Sequence, residues 1–166
     1  RVAATARRQV VAARILRRRG VPHRLVLAGV PDQGNPAAVP EKALRGWQEE
    51  GIAEWPGHLA DIPAALGACA IACLPSYREG VPRALIEAAS CARPIVTTDV
   101  PGCREIVQHG VNGLLVPPRQ AEPLADALEA LLRDLPRRRA MGEAGRRIVE
   151  ESFSDRIVNQ ATLELY

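Results

Sequence analysis

Aromatic side chains make up only 3% of the 166 residues, too few for a base-stacking platform or a sugar-stacking surface. Lysine is scarcer still: every basic residue is arginine except Lys42. The net charge of +3 is too small to argue for nucleic acid. Four cysteines, Cys69, Cys73, Cys91 and Cys103, form no C-x2-C pair and have no histidine at metal-ligand spacing, which excludes a zinc knuckle or a secreted disulfide framework. They are expected to be reduced, buried and inert. No run approaches the roughly 20 apolar residues of a membrane span, and the arginine-rich start lacks the apolar run of a signal peptide. A cytoplasmic location is therefore expected. No G-x-G-x-x-G follows any expected strand, and Gly29-Val30-Pro31 does not supply one, which argues against a dinucleotide-dependent oxidoreductase.

What is present suits one ordinary globular domain, 47% hydrophobic and 25% charged, able to bury roughly two-thirds of its unfolded surface without staples. Arginines cluster at Arg7-Arg8, Arg17 to Arg19, Arg137 to Arg139 and Arg146-Arg147. All fall on helical stretches and read as solvated faces; the sharper reading is a basic surface resting on an anionic membrane or on acidic ligands.

Short β-like runs alternate with helical patterns. Residues 3 to 19 have helical composition and stop at Gly20. Arg24 to Ala28 reads as a buried strand, followed by a turn-rich stretch from Gly29 to Pro40. A helix is expected over Glu41 to Glu50, stopped by Gly51, and a short strand over Ile52 to Trp55. Asp61 is a candidate N-cap for a helix over Ile62 to Gly67. Cys69 to Leu74 (CAIACL) is a continuous apolar run of the kind a parallel strand covered on both faces carries. Pro82 suits the first position of a helix reaching Cys91, because its missing N–H is unneeded there. Pro94 to Thr98 and Gly113 to Val116 are further strands, with a short helix over Gly102 to Val107 between them. Leu124, Leu128, Leu131 and Leu132 mark one apolar helix face; further helices are expected over Arg137 to Glu150 and Ser154 to Leu165. Parallel strands need crossovers and helices supply them, so the predicted fold is α/β, a Rossmann-like doubly wound parallel sheet with C-terminal helices.

In such a sheet ligands sit outside the carboxyl ends of the strands. That singles out Gly29 onward, Gly57-His58, Pro75 to Gly80, and Asp99 to Gly102. The helix starting near Pro82 offers unpaired N–H groups and a positive dipole end, an anion site for which phosphate is the natural guest. Gly80 would let the backbone approach closely. Glu79 stands just outside this helix and Glu87 lies about 7.5 Å inside it, so a ligand with a central diphosphate could meet one carboxylate at each end, as a nucleotide sugar would. The plainer reading puts Glu79 beside a helix dipole and Glu87 on a solvated face.

Residues 75 to 118, PSYREGVPRALIEAASCARPIVTTDVPGCREIVQHGVNGLLVPP, resemble the donor-binding half of the family 4 glycosyltransferases and carry their E-x7-E pattern as Glu79 and Glu87. The resemblance runs from about Arg14 to the C-terminus, and VPDQGNP and the WQEEGIAEW stretch are similar to a bacterial branch that builds lipid-linked oligosaccharide, capsule or lipopolysaccharide O-antigen. It implies one half of a GT-B fold and retaining transfer from a nucleotide sugar, most commonly a UDP-sugar, without a metal ion or other cofactor. Glu79 would hold the donor sugar where leaving diphosphate and acceptor meet, either as nucleophile or by positioning charge. Glu87 would accept from the ribose hydroxyls. The backbone of Gly80, Val81 and neighbours through Arg83 would face the diphosphate, although Pro82 has no N–H to offer. Gly29 would lie beneath the nucleotide and Gly57-His58 near the base, with Leu85 either against the ribose or plain core; His58 is alternatively a surface residue.

Two departures stand out. The family lysine that neutralises donor phosphate falls on Ala4, where Arg7 or Arg8 is the available substitute, and Ala92 replaces a glycine. The expectation is therefore a donor half, residues 1–166, without the family's acceptor domain and inactive alone, with a glycan or polyprenyl-linked acceptor bound by the other domain and a peripheral membrane contact. The alternative is a non-catalytic module of the same fold. Trp47 and Trp55 are expected to pack a helix and a strand edge, and Arg104 and Glu105 to pair on a short helix.

Overall fold

The computed structural model describes residues 2–31, 38–77 and 80–153. Glu79, Arg78, part of the turn-rich stretch after Gly29 and the helix expected over 154–165 lie outside them. The described elements run α1 (Val2–Arg18), β1 (Val26–Ala28), α2 (Glu41–Glu49), β2 (Glu54–Gly57), α3 (Ile62–Ala68), β3 (Ala72–Leu74), α4 (Arg83–Ser90), β4 (Ile95–Thr98), α5 (Pro101–Arg104), β5 (Gly113–Val116), α6 (Ala121–Leu132) and α7 (Leu135–Ser152). This is the α/β alternation expected. All strand pairs are parallel, in two sheets ordered β1-β2 and β3-β4-β5.

The second sheet is covered on both faces. Neighbouring residues of β4 point opposite ways: Ile95 packs with Leu85, Ala88 and Ile106, and Val96 packs with Leu16, Leu124 and Leu131. All four residues of β4 are buried. α1 ties the two sheets together. Its Ala12, Ile15 and Leu16 join the core under β4 and β5, while Ala6, Val10 and Ala13 join Leu27, Leu44 and Ile52 under β1 and β2. Gln9 of α1 also donates to the Cys73 carbonyl of β3 at 2.7 Å, occupying an acceptor on that strand's edge. On the far side of α1, Arg19 bonds Glu122, Asp126 and Glu129 of α6.

Three helices end in the same way. At Gly20 (φ +67), Gly51 (φ +63) and Ala92 (φ +53) the chain turns left-handed, and the next residue's N–H bonds back to the carbonyls of Leu16, Trp47 and Ala88 respectively, the Schellman arrangement. Buried against the third end is α7, whose Gly142 leaves no room for a side chain: a Cβ there would stand 2.1 Å from the Ala92 carbonyl oxygen. Asn112, fully buried, accepts from Gln108 N and donates to Ile106 O, each at 2.8 Å, and so fixes the turn leading into β5.

Several expectations shift. The strand expected over Ile52 to Trp55 starts at Glu54, because the N–H groups of Ile52 and Ala53 are taken by Trp47 O at the helix end. The CAIACL run pairs only from Ala72, since Cys69 N closes α3 onto Leu66 O, and β3 is half-buried rather than fully covered. β1 is likewise shorter than Arg24 to Ala28 and alternates exposed, buried, exposed. Pro82 is the N-cap of α4 and not its first residue: its ψ of 111° is extended, and its carbonyl accepts from Leu85 N at 2.9 Å. The short helix expected from Gly102 starts at Pro101 and stops at Arg104. Arg104 pairs with Asp99 at 2.6 Å rather than with Glu105. Of the four free cysteines only Cys103 is buried, the other three being half-exposed; burial nonetheless pushes the Cys73 thiol up to about 12.

Candidate functional site

The carboxyl ends of the parallel strands gather the residues singled out in the sequence. After β1 and β2, Gly29 (φ +115) and Gly57 (φ +76) take conformations that favour glycine. They meet directly: Gly29 N donates to Gly57 O at 2.8 Å, and Trp55 Nε1 donates to Gly29 O at 2.8 Å. Trp47 and Trp55 both pack against this core, as expected of them. His58 follows Gly57 and is exposed.

After β3 the chain turns at once. Ser76 is buried, its N–H on Leu74 O, and its carbonyl accepts from the Thr98 hydroxyl of β4. Thr97, also buried, donates to Leu74 O at 2.7 Å. These hydroxyls fix the exit of β3, and so the start of the loop that leads to α4. The sequence signal for these ties is the Thr-Thr pair at a strand's carboxyl end, to which the motifs above assign no role.

Beyond that loop lies the amino end of α4. Gly80 and Val81 are exposed, and among the described residues no atom stands within 4 Å of where a Cβ on Gly80 would be. Pro82 caps without a side-chain hydrogen bond, and the N–H groups of Arg83 and Ala84 have no intrahelical acceptor, as at any helix start. Arg83 is exposed. Glu87, one turn further along, is exposed and makes no ion pair among the described residues. Leu85 is 1% exposed and packs with Ile95 and Ile106, the plain core role.

At the exit of β4, Asp99 accepts from Arg104 Nε, and that bond holds its carboxyl below the ordinary range against a small opposing effect of burial. His109 Nδ1 accepts from Leu115 N at 3.0 Å, and His23 Nδ1 lies 2.8 Å from Val21 O; both are structural. Asp61 caps α3 through Ala64 N at 2.8 Å. Arg7 is exposed, whereas Arg8 is half-buried and lies over the ring of Tyr77. A cavity of about 320 Å³ opens at the opposite, amino ends of β1 and β2, between Arg17, His23, Arg24 and Glu54; Arg24 and Glu54 neutralise one another there at 2.7 Å. Among the described residues no helix is long and apolar enough to cross a membrane, and no cluster of three histidine, cysteine or carboxylate side chains could hold a metal ion.

Residues 8–134 match the family model of the group 1 glycosyl transferases, and the chain belongs to that family. A curated relative is the N,N'-diacetylbacillosaminyl-diphospho-undecaprenol alpha-1,3-N-acetylgalactosaminyltransferase of Campylobacter jejuni, 30% identical over 141 residues. That match covers 85% of this chain and 36% of the relative, so the chain spans about a third of that protein's length. Among solved structures, sucrose-phosphate synthase of Thermosynechococcus elongatus superposes with a TM-score of 0.81 at 27% identity, over 96% of this chain and 42% of that one. Anabaena HepE, solved in complex with UDP, superposes with a TM-score of 0.84 at 24% identity over 97% of this chain and 44% of that one, a likeness of fold. These neighbours are glycosyltransferases of the GT-B fold.

Proposed function

We propose that this chain is the donor-binding half of a retaining glycosyltransferase that moves a sugar from a UDP-sugar to a glycan or polyprenyl-linked acceptor. The observation that carries the reading is the amino end of α4, which opens at the carboxyl end of β3 with N–H groups that have no intrahelical acceptor, an exposed Gly80 and an exposed Glu87 one turn inside. Anion and ribose hydroxyls fit that spacing.

In this reading the backbone of Gly80, Val81 and Arg83 faces the diphosphate, with Pro82 setting the turn. Glu87 accepts from the ribose, and the bonded pair Gly29 and Gly57 forms a floor beneath the nucleotide, with His58 beside the base. Glu79, outside the described residues, is given its role at the sugar by the family resemblance. No metal or other cofactor enters. The acceptor is held by a separate domain, and the reaction belongs at the cytoplasmic face of the membrane, where a polyprenyl-linked acceptor sits. The undecaprenol-linked substrate in the name of the Campylobacter relative supports that acceptor class.

Calorimetric titration with UDP, GDP, ADP and NAD tests this. Preference for UDP is the expected result, and equal or absent binding of all four overturns it in favour of a non-catalytic module. Glu87→Ala should weaken UDP binding by about 1–3 kcal/mol with the thermal transition unchanged; undiminished affinity removes the ribose role.

A further inference from the structure

The chain has three histidines, and a proton would act differently on the bonds they make. His58 is exposed beside Gly57. His23 Nδ1 lies 2.8 Å from the Val21 carbonyl, which can only accept, so that nitrogen donates and the bond survives a charged ring. His109 is the reverse case. Its Nδ1 stands 3.0 Å from the Leu115 N–H, which can only donate, so this nitrogen carries no proton and the ring is neutral. An imidazolium, protonated on both nitrogens, cannot make that bond.

The bond lies on the outer edge of a sheet. β5 is the last strand of the order β3-β4-β5, and the carbonyls of Asn112 and Val116 accept from Ile95 and Asp99 on the β4 side. Gly113 and Leu115 turn the other way. Gly113 O accepts from Gly110 N at 2.8 Å, and Leu115 N donates to His109. His109 and Gly110 thus occupy, in place of a further strand, polar groups that an edge otherwise leaves unpaired.

Little charge surrounds the ring. β5 carries none, and neither does the turn 108–112 apart from His109 itself. Of the helices on the faces of β5, α6 has Glu122, Asp126 and Glu129 held by Arg19, and α7 has Glu150 held by Arg146. Glu105, at the end of α5, is exposed. Asp99 at the exit of β4 is the carboxylate that registers the ring: the Arg104 hydrogen bond holds it low, and positive charge on His109 lowers it further. Arg104 of α5 occupies that carboxylate at 2.6 Å. We propose that His109 is a pH-sensitive latch on the sheet edge: neutral, it closes the outer side of β5 at Leu115; charged, it releases that N–H and turns toward Asp99 in competition with Arg104. Asp99 opens the stretch to Gly102 at the carboxyl end of β4, so acid loosens the edge and the rim of the sheet together. The latch does not rest on the function proposed above.

The test is hydrogen exchange of the full chain, followed by NMR at about pH 8 and about pH 5, the interval over which histidine changes charge, with each amide corrected for its intrinsic rate. Protection of the Leu115 amide is expected to fall about tenfold at the lower pH, while that of Ile95, bonded to Asn112 on the β4 side, stays level. The Arg104 Cζ resonance should shift over the same interval. His109→Asn puts an amide oxygen where Nδ1 stood, an acceptor at any pH, so Leu115 should stay protected and the pH dependence should vanish. His109→Ala should leave Leu115 unprotected at both values; should it fail to fold, His109→Asn carries the test alone. Equal Leu115 protection at both values in the wild type, or an undiminished fall in His109→Asn, overturns the latch. A fall at Leu115 with Arg104 unmoved keeps the latch and overturns its turn toward Asp99.

Discussion

The first half of the chain, through β2, and the second half, from β3 onward, each contain helices that end in one hydrogen-bond pattern, α1 and α2 in the first and α4 in the second, but pack around it differently. Gly20 and Gly51 turn left-handed with no Cβ to strain, and a Cβ on either would meet nothing nearer than 3.9 Å. In the second half Ala92 makes the same turn with a Cβ, and its carbonyl is pressed against Gly142 of α7. The strands follow suit: β1 alternates exposed and buried, whereas β4 is buried throughout. The half that carries the amino end of α4 is the tightly fitted one, and the half that carries the Gly29–Gly57 turn has room to adapt.

Gly142→Ala is the most damaging way to probe that contrast. The new methyl group would collide with backbone, which cannot swing aside, and the expected loss is about 3 kcal/mol or more, read as a lower midpoint in urea unfolding; a loss below about 1 kcal/mol would mean that the second half is as yielding as the first. Ala92→Gly should act in the opposite direction, raising stability by about 1 kcal/mol as left-handed strain is relieved, less the greater freedom glycine gives the unfolded chain. In the first half Gly46→Ala meets open space in mid-helix and should add about 0.5 kcal/mol through helix propensity, with no change in ligand binding.

The smallest effect concerns the charged strut joining α1 to α6. Glu129 is held below the ordinary glutamate range by hydrogen bonds from Arg133 and then from Arg19. A depressed carboxyl stabilises the fold above its unfolded value, about 4.3, and that contribution is lost as pH falls through the lower folded value. Stability should therefore decline on acidification below about pH 5, and Arg19→Gln should flatten part of the decline while Arg133 keeps the rest. Identical pH profiles for the two proteins would assign the depression to Arg133 alone.

Much of the fold was legible because its signals are local. The Asp61 cap, the Gly20 and Gly51 stops, the leucine stripe of α6 and the bounds of β5 all depend on a few adjacent residues. Strand starts were not, since Ile52 and Cys69 are apolar yet their N–H groups are committed to helix ends. Pro82 fits either side of a helix start by sequence, and only its ψ distinguishes them. In the site, the pattern of Glu87 and the glycines could be read off directly. The meeting of Arg8 with Tyr77 could not, because no spacing along the chain encodes it.

Where α7 meets the end of α4, glycine stands on one side and backbone on the other: a Cβ on Gly142 would stand 2.1 Å from the Ala92 carbonyl oxygen. Such a joint has no slack, because slack between helices comes from side chains that can change rotamer. A push on the middle of α7 is thus passed to α4 as displacement rather than absorbed. The position of the amino end of α4 is set in part by a helix at the back of the domain, in the manner of a wedge driven behind a lever.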